Sequence, residues 1–100
     1  MFPVVASPRF SVNVRRISQR LYFAEVDDPD EGLKASLLAA LATVRMFPEA
    51  YPRTGVAQRR FTFEYRSAPY TVLYAFDGEL ITLHDIHFSR SARAAHWLTE

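Results

Sequence analysis

Apolar side chains recur every three or four positions in the first quarter of the chain, a spacing typical of an amphipathic helix. A short apolar run at Val4 and Val5 precedes them, and Ser7 followed by Pro8 is a cap and first-turn signal. We therefore predict a first strand and then a helix. Its apolar stripe is Phe10, Val14, Ile17, Leu21 and Ala24, while Arg9, Asn13, Arg16 and Arg20 are predicted to lie on its surface.

A second helical pattern follows the acidic segment DDPDEG at residues 27 to 32. Asp28 can cap a helix, Pro29 suits the first turn, and Glu31 stands where a capping box places its carboxylate. The helix should end before Pro48. Its predicted apolar stripe is Leu33, Leu37, Leu41, Val44 and Phe47. Two such helices form a hairpin whose joint apolar face needs a sheet to cover it.

From Arg59 onward, apolar and polar residues alternate, as in strands with one face buried. Residues 67 to 69 are predicted to turn the chain, and Asp77-Gly78 to close a two-residue hairpin. That hairpin pairs Tyr74 with Ile81 and Val72 with Leu83 toward the helices. It also pairs Thr71 with His84 and Leu73 with Thr82 on the solvent-facing side.

The resulting fold class is α+β: a strand, a helical hairpin and an antiparallel three-stranded meander, with the helices packed on one face of the sheet. A length of 100 residues is enough for a single domain, so residues 1–100 are predicted to form one. Residues 89–100 are predicted to be a flexible or helical tail.

Composition narrows the range of functions. The chain is 49% hydrophobic and has no cysteine, which excludes a disulfide framework and thiolate metal sites and fits the cytoplasm. The N-terminus shows no basic leader and reads as a strand, not a signal peptide. A net charge of +1 does not by itself indicate a nucleic-acid-binding protein, although eleven of the twelve basic residues are arginine.

Two histidines near the end of the last strand are candidates for chemistry. His84 could be a cross-strand partner or a proton carrier, and His87 could bond to backbone or act in catalysis. Because they are three positions apart on one strand, they are predicted to face opposite ways, so no metal site is expected, and no cofactor is expected either.

Several segments, in order and spacing, resemble the RelE/ParE superfamily of bacterial toxins from type II toxin-antitoxin modules. They are VVASP, FPEAYPRTG, RRF, PYTVLY, DGELITL and IHFSR. The resemblance covers nearly the whole chain and is closer to ParE-like members. It implies a small toxin, neutralised by a cognate antitoxin, that either cleaves mRNA in the ribosome or inhibits DNA gyrase.

The residues weigh differently on these two activities. The nuclease members place cations where this chain has Thr62, Glu64 and Thr71, which favours gyrase inhibition over ribosome-dependent cleavage. The predicted target-binding residues are Arg60, His87, Arg90 and Trp97. If the protein is instead an endoribonuclease, the catalytic candidates are Arg66, His87 and Arg90.

A partner surface is expected on the solvent-facing side of the sheet. Apolar residues there would be exposed in a monomer, and a segment of the antitoxin that folds on binding could cover them. The predicted antitoxin-binding residues are Leu73, Ala75, Leu80 and Ile86. A further hypothesis is that the protein is a non-toxic module that only binds the antitoxin.

Overall fold

The computed structural model describes residues 1–23 and 29–90 of the chain. The elements are β1 (Val4–Ala6), α1 (Pro8–Phe23), α2 (Pro29–Met46), β2 (Arg59–Tyr65), β3 (Ala68–Phe76) and β4 (Ile81–Phe88). The predicted stripe residue Ala24, the predicted cap Asp28 and most of the predicted tail, including Trp97, lie outside the described residues.

Helix α1 begins where the capping signal places it. The Ser7 hydroxyl accepts a hydrogen bond from the backbone N–H of Phe10 at 3.1 Å and donates one to the His84 carbonyl at 2.9 Å. The same serine thus caps the helix and ties it to β4. Phe10 and Ile17 are buried, as predicted, but Asn13 is buried too and does not lie on the surface.

Helix α2 buries its apolar stripe except at the last position. Leu33, Leu37, Leu41 and Val44 lie in the core, whereas the Phe47 side chain is 57% exposed. The prediction for Phe47 is wrong because the helix ends at Met46, so Phe47 no longer follows the helical spacing. Among the described residues, we find no helix both long and apolar enough to cross a membrane.

The sheet has four strands in the order β1-β4-β3-β2. Strands β2, β3 and β4 form the predicted antiparallel meander. Strand β1 lies beside β4 in parallel, with Val4 opposite Ile81, so the sheet is mixed and not purely antiparallel. The α+β class is confirmed, with α1 against β4 and α2 against β2.

The β3–β4 connection is longer than the predicted two-residue turn. The first pair is Phe76 with Ile81, which leaves residues 77 to 80 as the loop. The Asp77 carboxylate accepts hydrogen bonds from the N–H groups of Glu79 and Leu80, at 2.9 and 2.7 Å. These bonds close a wider turn, and they lower the pKa of Asp77.

A β-bulge then shifts the register within β4. Tyr74 lies opposite Leu83 but Leu73 lies opposite Asp85, so His84 is an extra residue in its strand. All four predicted β3–β4 pairs are therefore wrong. The longer turn moves Tyr74 from Ile81 to Leu83, and with the bulge added Thr71 faces His87, not His84. The bulge also reverses the inward and outward alternation of the residues after it.

The β2–β3 turn is also displaced from its predicted place. Arg66 and Ser67 form it with φ angles of 53° and 64°, a conformation in which non-glycine residues are uncommon. Ala68 and Pro69 already belong to β3, with Pro69 opposite Glu64. The turn therefore presents Arg66, which is exposed, at the tip of the hairpin.

The core lies between the helices and one face of the sheet. Tyr74 is its largest fully buried side chain, and its hydroxyl donates to the Pro48 carbonyl at 2.6 Å. Burial raises the pKa of Tyr74 to about 12. Strand residues of this core are Phe61, Phe63, Tyr70, Val72, Tyr74, Ile81, Leu83 and Ile86.

Candidate functional site

The sheet face that points away from the core carries several of the predicted site residues, among them Arg60 and His87, and we refer to it as the polar face. The strand register places its side chains in rows that cross β2, β3 and β4. One row is Arg60, Leu73 and Asp85, and the next is Thr62, Thr71 and His87. A third begins with Glu64 and Pro69, and the Pro69 carbonyl accepts the N–H of Ser89 at 2.9 Å.

Asp85 is the central charged group of this face, although its side chain is almost fully buried. Its carboxylate accepts hydrogen bonds from the Asn13 side-chain amide at 2.5 Å and from the Ile86 backbone N–H at 2.9 Å. The Nε2 of His87 lies 3.3 Å away and the Nε of Arg9 lies 3.9 Å away. A buried carboxylate requires such partners, and here they come from both α1 and β4.

His87 occupies a mostly enclosed position next to this carboxylate. Its side chain is 16% exposed and stands opposite Thr71 across the strands. The Thr71 hydroxyl shares a hydrogen bond of 2.7 Å with the Ser89 hydroxyl. An imidazole beside a carboxylate has a preferred orientation and can hold a proton, which suits either target binding or proton transfer.

The bulge brings both strand histidines to the polar side, against the prediction that they face opposite ways. His84 lines a pocket together with Leu73 and Asp85, while His87 bonds to Asp85 directly. Within the part of the chain that the structure describes, no three residues of the metal-binding types are grouped to hold a metal ion.

The predicted target-binding residues are partly brought together. Arg60 is half-buried on β2, while His87 stands two strands away on β4, about 10 Å in strand spacing. Arg90 is exposed just after β4. The nuclease candidate Arg66 lies at the same end of the sheet as Arg90. Trp97 lies outside the described residues.

The predicted antitoxin surface is not arranged as expected. Ile86 is fully buried in the core, and Leu73 is only 9% exposed. The expectation that a monomer exposes these two residues is wrong, because the bulge turns Ile86 inward. Ala75 and Leu80 are half-buried. The large apolar side chains that are exposed include Val5, Val12, Tyr22, Leu38, Met46, Phe47 and Val56.

Sequence reasoning missed Asp85 and Asn13. A signal for Asp85 is nevertheless present, since the apolar phase of β4 changes between Leu83 and Ile86. Such a change of phase by one residue indicates a bulge. Asn13 gave no comparable signal, because its partner lies 72 residues away in the chain.

Comparison with known proteins gives a match at the level of fold. No protein-family model matches the chain, and no curated protein matches it. Among solved structures, a chain of the "Chromosomal ParDE TA system from P. aeruginosa" matches with a TM-score of 0.62 and 14% sequence identity. The match covers 88% of this chain and 96% of that chain. The ParE-type fold implied by the sequence resemblance is thereby confirmed.

Proposed function

We propose that this protein is the toxin component of a type II toxin-antitoxin module, neutralised by a cognate antitoxin in the cytoplasm. The observation that carries the proposal is the fold match to a chain of a ParDE toxin-antitoxin system, which extends over nearly the full length of both chains. The independent resemblance of the sequence segments to RelE/ParE toxins supports the same class.

We infer further that the toxin inhibits DNA gyrase and does not cleave RNA. Three positions of the polar face lack the cations that the nuclease members place there: they hold Thr62, Glu64 and Thr71. Asp85 adds a second carboxylate beside His87. Cleavage of a phosphodiester requires positive charge near the scissile phosphate. Carboxylates in that position oppose it.

The proposed contact with gyrase involves Arg60, His87, Arg90 and Trp97. Arginine and tryptophan frequently dominate protein interfaces. The network of Asp85 and Asn13 supports this surface, because it fixes the carboxylate beside His87. For the antitoxin, we retain only Ala75 and Leu80 as proposed contacts, since both are half-buried and Leu73 and Ile86 are buried.

One observation favours ribosome-dependent mRNA cleavage as a second candidate. His87 and Asp85 form an imidazole–carboxylate pair, with the hydroxyls of Thr71 and Ser89 on the neighbouring positions. Such a pair can move a proton. In this function Arg66, His87 and Arg90 are the proposed catalytic residues. The third possibility, a non-toxic module that only binds antitoxin, predicts no growth effect at all.

The test is induced expression with and without the neighbouring short reading frame, followed by assays with purified protein. We expect growth arrest that the neighbouring frame relieves, and loss of supercoiling by purified gyrase. Arg90→Ala should weaken gyrase inhibition about tenfold, equivalent to a hot spot of about 1.4 kcal/mol. Lys34→Gln, an exposed substitution on α2, is the control and should retain full inhibition.

Other outcomes point elsewhere. Unchanged supercoiling at excess protein, together with codon-specific cleavage in a primer-extension assay, would establish the nuclease function. Harmless accumulation with tight antitoxin binding would establish the binding module.

A chain that ends at Arg90 should lose gyrase inhibition while keeping its melting temperature, because Ser89 and its bonds to β3 remain in place.

A further inference from the structure

Helix α1 carries a strong local excess of positive charge. It contains Arg9, Arg15, Arg16 and Arg20 and no acidic residue. The whole chain has twelve basic and eleven acidic residues, so the rest of the molecule has eight basic against eleven acidic. The net charge of +1 therefore hides an uneven distribution of charge, with an excess of basic residues on α1 and an excess of acidic residues in the rest of the chain.

Three of these arginines share one face of the helix. Arg9, Arg16 and Arg20 are separated by seven and four residues, which aligns them along the axis at rises of about 10 and 6 Å. We name these three residues the arginine row. Arg15 lies off the row, in a groove between the helices that it shares with Lys34.

The arginine row borders β4 along the edge that β1 leaves uncovered. Near its start, Arg9 lies 3.9 Å from the Asp85 carboxylate, and Asn13 reaches the same group. Near its end, burial raises the pKa of Tyr70, and the charge of Arg20 partly offsets that rise. Tyr70 is paired with Phe88, so the row follows β4 from the bulge to its C-terminal end.

The helix dipole and the ion pairs within the protein explain the presence of some of these arginines but not of all three. Arg20 lies in the last turn, where the helix dipole favours a cation, but Arg9 lies at the opposite end, where the dipole opposes one. In the described part of the chain, the ion pairs involve Arg9 but neither Arg16 nor Arg20. All three side chains are exposed. The charges of Arg16 and Arg20 are thus available to a partner, and that of Arg9 is shared with Asp85.

We propose that the arginine row binds the phosphate backbone of duplex DNA. Guanidinium groups grip phosphate with two parallel hydrogen bonds, and a chain of arginines without an interspersed carboxylate is suited to a continuous line of negative charge. A helix also holds its charges at fixed separations, so that the three arginines can face one line of phosphates together. This activity does not depend on the toxin function.

The experiment is fluorescence anisotropy of the full chain with a labelled 20-base-pair duplex at several salt concentrations. The test variant is Arg16→Gln with Arg20→Gln, and the matched control is Lys34→Gln with Arg53→Gln. Both doubles remove two exposed positive charges. We expect the test variant to bind at least tenfold more weakly at 50 mM salt. The slope of log affinity against log salt should fall by about 2, and the control should match the parent.

Equal loss of affinity in both double variants would overturn the proposal, since bulk charge would then explain the binding. Absence of binding at 50 mM salt would also overturn it. A second measurement uses labelled polyglutamate in place of the duplex. Binding of polyglutamate through the arginine row, without binding of the duplex, would overturn the proposal and indicate that the row binds an acidic protein surface. Thermal melting of each variant checks the fold, and the single Arg16→Gln variant replaces the double if the double melts early.

Discussion

At the scale of the residue, the buried carboxylate of Asp85 positions the neighbouring side chains of the polar face. Folding removes its charge almost completely from water, and the bonds from Asn13 and Ile86 compensate for this. Its neighbour His87 receives its orientation from the same carboxylate. One extra residue in β4 is responsible for all of these contacts, because without the bulge Asp85 would not lie opposite Leu73.

We therefore predict that Asp85→Ala lowers the free energy of unfolding by about 3 kcal/mol, since it leaves the Asn13 amide and the His87 ring without their buried acceptor. Asn13→Ala should have a smaller effect of about 1 to 2 kcal/mol. Urea denaturation of both single variants and the double gives the coupling energy, which we expect to be about 1 kcal/mol or more.

Glu64→Ala is the matched control for this cycle, because Glu64 is an exposed carboxylate on the same face. It should change stability by less than about 0.5 kcal/mol. Additive effects of Asn13→Ala and Asp85→Ala would show that the two side chains do not depend on each other.

At the scale of the element, the helices could be predicted from sequence and the strand register could not. Helix α1 depends on local spacing and on Ser7, which caps it within three residues. The β3–β4 register depends on two features that the alternation does not reveal: the carboxylate of Asp77 in the turn and the extra His84. Because the bulge was not predicted, the residues after it were assigned to the wrong face of the sheet, and Ile86 is one of them.

The parallel pairing of β1 was equally hidden from the local pattern. Val4 meets Ile81, more than seventy residues later, and the intervening helices bring the two strands together. A short apolar run predicts a strand but not its neighbour. The contact of Asn13 with Asp85 escaped prediction for the same reason, since both partners look polar and exposed when each segment is considered alone.

Packing between α2 and β2 yields the element-scale prediction. Gly32 lies in α2 against the Tyr65 ring, and a Cβ there would stand 2.8 Å from the Cε1 and Cζ atoms. Gly32→Ala should therefore destabilise the protein, although alanine in a helix normally gains about 1 kcal/mol over glycine. In a Tyr65→Ala background the ring is gone, and the same substitution should stabilise by about that amount.

Chemical denaturation of the parent, Gly32→Ala, Tyr65→Ala and the double variant measures both effects. A stabilising effect of Gly32→Ala in the parent chain would mean that the Tyr65 ring moves aside at little expense. An effect of the same sign in both backgrounds would contradict the steric explanation of why the fourth residue of α2 is a glycine.

At the scale of the whole molecule, the fold separates an apolar interior from two surfaces of different charge. The polar face is mixed in charge, with Arg60 as well as the carboxylates of Glu64 and Asp85, whereas the arginine row on α1 is entirely basic. The proposed gyrase contact and the proposed DNA contact meet near Asp85, which lies beside both Arg9 and His87. The two proposals are separable by experiment, because Arg16 and Arg20 do not belong to the gyrase contact.

Stability as a function of pH is the last whole-molecule property that the structure predicts. Burial raises the pKa of Tyr74 to about 12 in the folded state, from an ordinary value of 10.0. Below pH 10 the hydroxyl is protonated in both states, and its contribution to stability is fully present. Between pH 10 and 12 the unfolded chain loses this proton more readily than the folded chain, so the free energy of unfolding should fall by about 2 kcal/mol.

Urea denaturation from pH 8 to pH 12 measures this loss, and the absence of cysteine removes disulfide exchange as a complication. Tyr74→Phe is the informative comparison. It should be less stable than the parent at pH 8 by about 1 kcal/mol, because the hydrogen bond to the Pro48 carbonyl is lost. Its stability should then decline less steeply above pH 10, so that the two curves cross before pH 12. Parallel curves for the two proteins would show that Tyr74 ionises equally in both states and that its burial does not control alkaline unfolding.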